Sequence, residues 1–152
     1  MKKKLAALGT AVLMLAGAFP AINYASNWAD TDFSFELISE ASSRYAVSIN
    51  RLKTDDSSVY MKCTSSSRTS TNSSEGGYYG TAHGSSRELG GLADCFSGSK
   101  HSETYMFYEG ATRYMKNYIN ETGHIYANIY CVGAKYLRYM NFKGVWSPDS
   151  IQ

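Results

Sequence analysis

The sequence predicts an all-β fold, an antiparallel β-sandwich of about seven or eight short strands preceded by a signal-peptide helix. Aromatic residues are abundant, with 13 Tyr, 6 Phe and 2 Trp against only 2 Pro, and such side chains suit the half-buried surface of a pleated sheet. Apolar and polar residues alternate with period two in several segments, which are separated by stretches rich in Ser, Thr and Gly. These features favour short strands joined by turns.

The first segment, residues 1–25, has the pattern of a secretory signal peptide. Residues 1–4 are basic after the initiating Met, and residues 5–19 form an uncharged apolar run. A membrane span needs roughly 20 apolar residues, whereas Gly9, Gly17 and Pro20 interrupt this run. An amphipathic helix of the mature fold would need a polar face that the run lacks. We expect cleavage close to Ala25, and no stable membrane insertion afterwards.

Loss of the leader reverses the charge balance of the chain. The precursor has 15 basic and 13 acidic residues, and three of the basic residues lie in the leader. The mature chain, residues 26–152, therefore carries a formal charge of −1, which gives no basis for expecting nucleic acid as a partner. Its length is that of one domain with a single core. We expect one secreted domain, either released or held non-covalently at the cell envelope.

Three segments in the first half alternate in the manner of half-buried strands and are predicted to form an antiparallel meander. They are residues 32–38, 44–52 and 59–64. In the second of them, Tyr45, Val47 and Ile49 are expected to face the core. Residues 65–74 hold almost only Ser, Thr, Asn and Arg, so they are predicted to be an exposed loop.

The second half is predicted to contribute the remaining strands. A second long loop, residues 84–99, contains four Gly residues and Cys95. Residues 113–121 fit a helical stripe as well as a strand, and a strand is favoured. The segments predicted as strands are residues 78–83, 103–108, 113–121, 124–132 and 136–146. Their even spacing is typical of a sandwich.

Three cysteines allow one disulfide with three possible pairings. Period-two alternation places Cys63 and Cys131 on the apolar faces of two predicted strands, which makes this pair the candidate disulfide of an exported chain. Two alternatives stay open: all three are buried thiols, or Cys95 is one of the paired residues. No C-x-x-C motif occurs in the sequence, so neither a redox motif nor a thiolate metal site is indicated.

Motifs for catalysis, metal binding and cofactor binding are lacking in this sequence. Its three His residues do not form H-x-H or H-E-x-x-H, and G-x-S-x-G does not occur. We therefore expect no enzyme activity, no cofactor and no metal. The Tyr residues give the functional lead, because several lie on opposite faces of the same predicted strand and some must be exposed. Tyr78 and Tyr79 are the candidate binding surface.

Four segments resemble small secreted proteins of Gram-positive bacteria that are classed as a domain of unknown function. The segments are residues 27–30 (NWAD), 51–55 (RLKTD), 113–118 (RYMKNY, followed by Glu121 and Gly123) and 144–150 (GVWSPDS). The resemblance implies export and a β-sandwich and assigns no active-site residue. Trp28 and Trp146, in the first and last segments, are expected to pack together as edge covers for the sandwich. The alternative is an aromatic platform for sugar.

Three functional hypotheses follow from these observations. The favoured one is a secreted binding module that meets a cell-wall polymer, a glycan or an envelope protein through residues 65–76, residues 84–102 or an exposed Tyr face. The second is a secreted bacteriocin-like antagonist of related cells. The third is an unrecognised hydrolase, which would need a concave pocket holding a His or carboxylate with an oriented partner.

Overall fold

The protein is an all-β sandwich. The computed structural model describes residues 27–38, 45–68, 77–89, 91–134 and 139–151, and the predicted leader lies outside these ranges. The described residues form eleven strands and no helix. The strands are β1 (Thr31–Ile38), β2 (Tyr45–Val47), β3 (Arg51–Leu52), β4 (Val59–Arg68), β5 (Tyr78–Ser85), β6 (Phe96–Ser97), β7 (Lys100–His101), β8 (Thr104–Phe107), β9 (Thr112–Met115), β10 (Tyr126–Gly133) and β11 (Tyr139–Ser147).

Two antiparallel sheets make the layers. Sheet 1 has the order β1-β11-β4-β9, and sheet 2 has the order β2-β10-β5-β8, with β3 also pairing with β10. The two-residue strands β6 and β7 form a separate small hairpin. The predicted meander of the first three segments is wrong, because β1 and β4 both pair with β11 while β2 pairs with β10. Each sheet thus combines strands from both halves of the chain.

The core lies between the inner faces of the two sheets. The predicted alternation is confirmed in β1, where Phe33, Phe35 and Leu37 are buried. Alternate residues of the central strands are fully buried as well: Met61 and Cys63 in β4, Tyr78 and Ala82 in β5, Ala127, Ile129 and Cys131 in β10, and Phe142 and Trp146 in β11. Burial of these apolar side chains supplies the main stabilising free energy.

Gly144 allows the centre of sheet 1 to pack closely. A β-bulge shifts the register of β11 against β4 between Lys143 and Gly144. A Cβ atom at Gly144 would collide with the carbonyl oxygen of Lys62 and with the ring of Phe33. Only glycine fits this close approach, which explains the interruption of the apolar pattern in the last predicted strand.

The predicted orientation of residues 45–49 is wrong. Tyr45 is 54% exposed and Ile49 is 65% exposed, and Val47 is exposed as well, whereas Ala46 packs against the core. Alternation alone fixes which residues share a face but not which face is inward. Here the small side chain turns inward, and the large apolar ones form part of the outer surface of sheet 2.

Candidate binding surface

The outer face of sheet 2 is covered with aromatic and apolar side chains. We call this surface the tyrosine face, and define it by Tyr45, Val47, Tyr79, Met106, Tyr130 and Val132. Four of these side chains are exposed, namely Tyr45, Val47, Tyr79 and Met106, while the other two are partly buried. An antiparallel sheet with one solvated face normally carries polar residues there. Exposed apolar area grouped on one solvated face makes this surface the candidate site.

Strand register arranges the tyrosine face in two rows that cross four strands. Tyr45, Val132, Tyr79 and Met106 lie side by side across β2, β10, β5 and β8. The second row is Val47, Tyr130, Thr81 and Thr104 on the same strands. Adjacent strands are about 4.8 Å apart, so each row extends over about 15 Å.

Two ring contacts hold Tyr130 in place on the tyrosine face. The ring centroids of Tyr45 and Tyr130 are 5.7 Å apart, and the His83 ring lies 5.4 Å from that of Tyr130. The hydroxyls of Thr81 and Thr104 share a hydrogen bond of 2.8 Å. The face therefore presents flat apolar rings beside hydroxyl groups that both donate and accept hydrogen bonds.

A groove continues the tyrosine face at one end. It has a volume of about 630 Å³, and its apolar lining consists of Val47, Ile49, Leu89 and Leu92. Leu89 is 87% exposed, so it offers almost its whole side chain to the groove. The predicted loop of residues 84–99 thus supplies apolar contact area next to the sheet.

Two asparagines hold the loop of this groove in place. Asn50 Nδ2 donates to the carbonyl oxygen of Arg87 at 2.8 Å. Asn128, which is fully buried, donates from Nδ2 to Asn50 Oδ1 at 2.8 Å and to the carbonyl oxygen of Gly91 at 3.4 Å. Both acceptors face the same nitrogen, so the amide orientation is defined. The groove is therefore a built feature of the fold.

The two tyrosines predicted as the binding surface lie on opposite faces of β5. Tyr79 is 45% exposed and belongs to the tyrosine face. Tyr78 is fully buried, and its ring stacks on Phe107 with centroids 5.2 Å apart. Tyr78 therefore has to be removed from the candidate surface, because successive residues of a strand point to opposite faces. Tyr45 was missed because residues 44–52 were assigned the opposite orientation.

Family comparison places the chain in a known group. Residues 21–150 match the family described as Protein of unknown function (DUF2712). The chain belongs to the DUF2712 family. No curated protein and no solved structure matches it. Within the described ranges, the structure contains no helix that is long and apolar enough to cross a membrane.

The segments that carry the sequence resemblance meet in this DUF2712 chain at a buried ion pair. Lys53 Nζ lies 3.1 Å from Asp149 Oδ1, and both side chains are fully buried. The same ammonium donates to the carbonyl oxygens of Ser57 at 2.7 Å and Pro148 at 2.9 Å. The other carboxylate oxygen accepts hydrogen bonds from Thr54 Oγ1 at 2.6 Å and from the backbone nitrogens of Thr54 and Asn27.

We call this arrangement the terminal clasp and define it by Asn27, Lys53, Thr54, Ser57 and Asp149. The third segment reaches it too, since Asn117 Nδ2 donates to the carbonyl oxygen of Ser57 at 3.1 Å. The clasp joins both ends of the described chain to the turn after β3. The charged groups of Lys53 and Asp149 at its centre are buried and hydrogen-bonded on all sides, so the clasp stabilises the fold.

The two tryptophans of these segments differ in burial. Trp146 is fully buried, and the guanidinium of Arg51 lies 5.7 Å from its ring centroid. Trp28 is half exposed. Trp146 thus belongs to the core beside the clasp, and the alternative of a sugar platform that uses this ring is excluded by its burial.

Cys95, Thr122 and His124 come together beside the loop that follows β5. Thr122 Oγ1 donates to the carbonyl oxygen of Tyr118 at 2.8 Å and contacts His124 Nδ1 at 2.9 Å. Burial raises the pKa of the Cys95 thiol above its ordinary value, so this group is a poor nucleophile. No group of three His, Cys, Asp or Glu side chains suited to a metal ion occurs in the part of the chain that the structure describes.

Proposed function

We propose that the protein is a secreted binding module that holds a polysaccharide of the cell envelope on the tyrosine face. The observation that carries this proposal is the pair of side-chain rows across four strands of sheet 2. A sugar ring has an apolar C–H face and a rim of hydroxyls. It therefore stacks on an exposed aromatic ring while its hydroxyls bond to neighbouring polar groups.

The chemistry of the two rows favours a sugar chain over a small apolar ligand. Exposed apolar side chains at Tyr45, Tyr79 and Met106 form one row, and the hydroxyl pair of Thr81 and Thr104 lies in the neighbouring row. The face is open and spans several sugar residues, which suits an extended polymer. Tyr side chains also lose little conformational entropy on binding, because they have few rotatable bonds.

The proposed role is binding without catalysis. A glycoside hydrolase needs two carboxyl groups facing each other across the scissile bond, and neither row of the tyrosine face contains Asp or Glu. Export through the predicted leader would bring the face into contact with wall polymers outside the membrane.

The test is a pull-down of mature protein, residues 26–152, with purified cell-wall polysaccharide. One variant carries Tyr45→Ala and Tyr130→Ala. Its matched control carries Tyr60→Ala and Tyr114→Ala on the outer face of sheet 1, where the rings form a similar pair with centroids 5.5 Å apart. Both variants lose one cross-strand aromatic pair and should lose similar stability, about 1 kcal/mol.

We expect saturable binding by the wild type, a loss of at least about tenfold in the sheet 2 variant and less than twofold in the control. Equal loss in both variants would attribute the effect to stability and contradict the assignment of the face. If the folded wild type binds no wall polysaccharide at all, the proposed function is wrong, and growth inhibition of related cells becomes the assay for the antagonist hypothesis.

A further inference from the structure

We propose that Cys63 and Cys131 form a disulfide that links the two sheets once the chain is exported, and that Cys95 stays a thiol. This inference rests on the export included in the proposed function. It does not depend on which ligand the tyrosine face binds. All three cysteines are buried thiols in this structure.

Strand topology places Cys63 and Cys131 on opposite walls of the same core. Cys63 lies in β4 of sheet 1 and Cys131 in β10 of sheet 2, and both are fully buried. The cross-strand neighbour of each is a glycine, Gly144 for Cys63 and Gly80 for Cys131. Aromatic rings pack at both glycines, Phe33 at Gly144 and Phe107 at Gly80. Both cysteine side chains lie on the buried faces of their strands and project into the interior between the sheets.

Tyr78 lies beside both cysteines. Its hydroxyl interacts with the Cys63 thiol, and Cys131 is also close enough to affect its ionisation. The same hydroxyl is buried and makes no hydrogen bond of standard geometry with the described residues. Cys63 Sγ instead lies 3.6 Å from the carbonyl oxygen of Ser65. The two thiols and the hydroxyl thus share one pocket of the core, where the thiols gain little from hydrogen bonding.

Cys95 lies in a different part of the molecule. Its sulfur is 3.5 Å from the carbonyl oxygen of Ala93. A Cβ atom at Gly84 would lie 2.6 Å from Cys95 Sγ and 2.8 Å from His124 Cγ, so the thiol is next to this histidine. The ionisable neighbours of Cys131 include Cys63 but not Cys95. Of the three pairings that the sequence allows, the structure favours Cys63 with Cys131.

The timing of the bond follows from burial. Burial raises the pKa of the Cys63 and Cys131 thiols, and the effect on Cys131 is large. In the closed sandwich both groups are therefore protonated and inaccessible, and neither attacks a disulfide. The bond has to form while the sheets are still open. The oxidant is a protein or small-molecule disulfide. One cysteine thiolate attacks it, forms a mixed disulfide and releases the first thiol of the oxidant. The second cysteine thiolate then attacks the mixed disulfide, which forms the Cys63–Cys131 bond and releases the second thiol.

The test is refolding of the denatured, reduced mature chain in a buffer of reduced and oxidised glutathione, followed by alkylation and peptide mapping. We expect one fragment pair joined through Cys63 and Cys131, with the mass of two hydrogens lost, and an alkylated Cys95. The joined protein should melt about 10 °C above the reduced protein, because the bond closes a long loop of the unfolded chain. The Cys95→Ala control should keep both the link and the melting difference.

A link that includes Cys95, or three alkylatable thiols after oxidative refolding, would overturn the inference. The mapping uses the wild-type chain, so it gives an answer even if a Cys63→Ala and Cys131→Ala variant does not fold. Glycan binding is measured separately on the refolded protein. If the disulfide does not form but the protein binds polysaccharide, only this inference is wrong. If the disulfide forms but the protein does not bind polysaccharide, the proposed function is wrong.

Discussion

The terminal clasp and the tyrosine face differ in almost every physical respect. The clasp is a buried ion pair in which Lys53 and Asp149 are fully satisfied by hydrogen bonds. The tyrosine face is exposed, carries no Asp, Glu, Lys or Arg in its two rows, and has rings without a covering element among the described residues. The polar groups of the clasp form hydrogen bonds that stabilise the fold, whereas the tyrosine face leaves apolar side chains exposed to solvent.

This difference separates residues that identify the chain from residues that serve its proposed role. The segments behind the resemblance, such as residues 51–55 and 144–150, converge on the clasp. The tyrosine face draws on other strands, β2, β5 and β8, together with β10. Similarity in the clasp therefore indicates a shared way of fastening the chain ends, while ligand choice would follow from the tyrosine face, where sequence can change without loss of the fold.

The largest expected effect is on stability, through the clasp. Lys53→Met removes the ammonium and leaves the Asp149 carboxylate buried without its counter-charge, which costs about 3–5 kcal/mol. Lys62→Met, at an exposed lysine on the outer face of sheet 1, is the control and should cost less than about 0.5 kcal/mol. Urea unfolding followed by fluorescence measures both. If Lys53→Met lowers the free energy of unfolding by less than about 1 kcal/mol, the clasp is not a main source of stability.

The same experiment sharpens the contrast with the tyrosine face. At a temperature where the Lys53→Met variant is still folded, its affinity for wall polysaccharide should equal that of the wild type, because no clasp residue belongs to the face. A clasp variant that is folded and yet no longer binds would break the separation of the two regions.

A smaller effect is expected where the groove meets the face. Asn128→Ala deletes the hydrogen bonds to Asn50 Oδ1 and the carbonyl oxygen of Gly91, at a cost of about 1–3 kcal/mol. Amide hydrogen exchange should become faster in residues 86–89 and 91–93, which lose this anchor. The control is Asn141→Ala, a partly buried amide on the outer face of sheet 1. Unchanged exchange in the loop would mean that Asn128 does not position the groove.

Binding is expected to respond to single tyrosines more weakly still. Tyr79→Ala should weaken polysaccharide binding about fivefold, close to 1 kcal/mol. Tyr114→Ala serves as its control, since Tyr79 is 45% and Tyr114 is 47% exposed but only Tyr79 lies on the tyrosine face. Binding isotherms for the two folded variants measure the difference. If Tyr114→Ala loses as much affinity as Tyr79→Ala, sheet 1 shares the ligand and the comparison of faces has to be redrawn.

The sequence predicts the sandwich because alternation in β1, β4 and β10 is a local property, and burial of Phe33, Met61 and Ile129 confirms it. Strand order is different, since β1 pairs with β11 across most of the chain and nothing local encodes that choice. The face assignment of β2 failed for a related reason. Tyr45 and Ala46 alternate equally well in either orientation, and only the core of the assembled sheets selects Ala46.

The smallest expected effect is a pH dependence that begins at His83, which contacts Tyr130 on the tyrosine face. Burial lowers the pKa of His83 below its ordinary value of 6.5, and the nearby Asp94 opposes this only in part. Its Nδ1 atom is buried without a hydrogen-bond partner among the described residues. The folded protein therefore takes up this proton at lower pH than the unfolded chain does.

Stability is expected to fall as the pH is lowered. Well above pH 6.5 the imidazole is neutral in both states and contributes no pH dependence. As the pH falls through 6.5, the unfolded chain binds the extra proton first and stability falls. His83→Gln should lose less stability than the wild type between about pH 7 and pH 5, and His101→Gln, at an exposed position in β7, should retain the wild-type loss. Urea midpoints at several pH values give the slopes. Identical slopes in the wild type and His83→Gln would show that the acid sensitivity has another source. Protonation of His83, beside the tyrosine face, would then have no effect on stability.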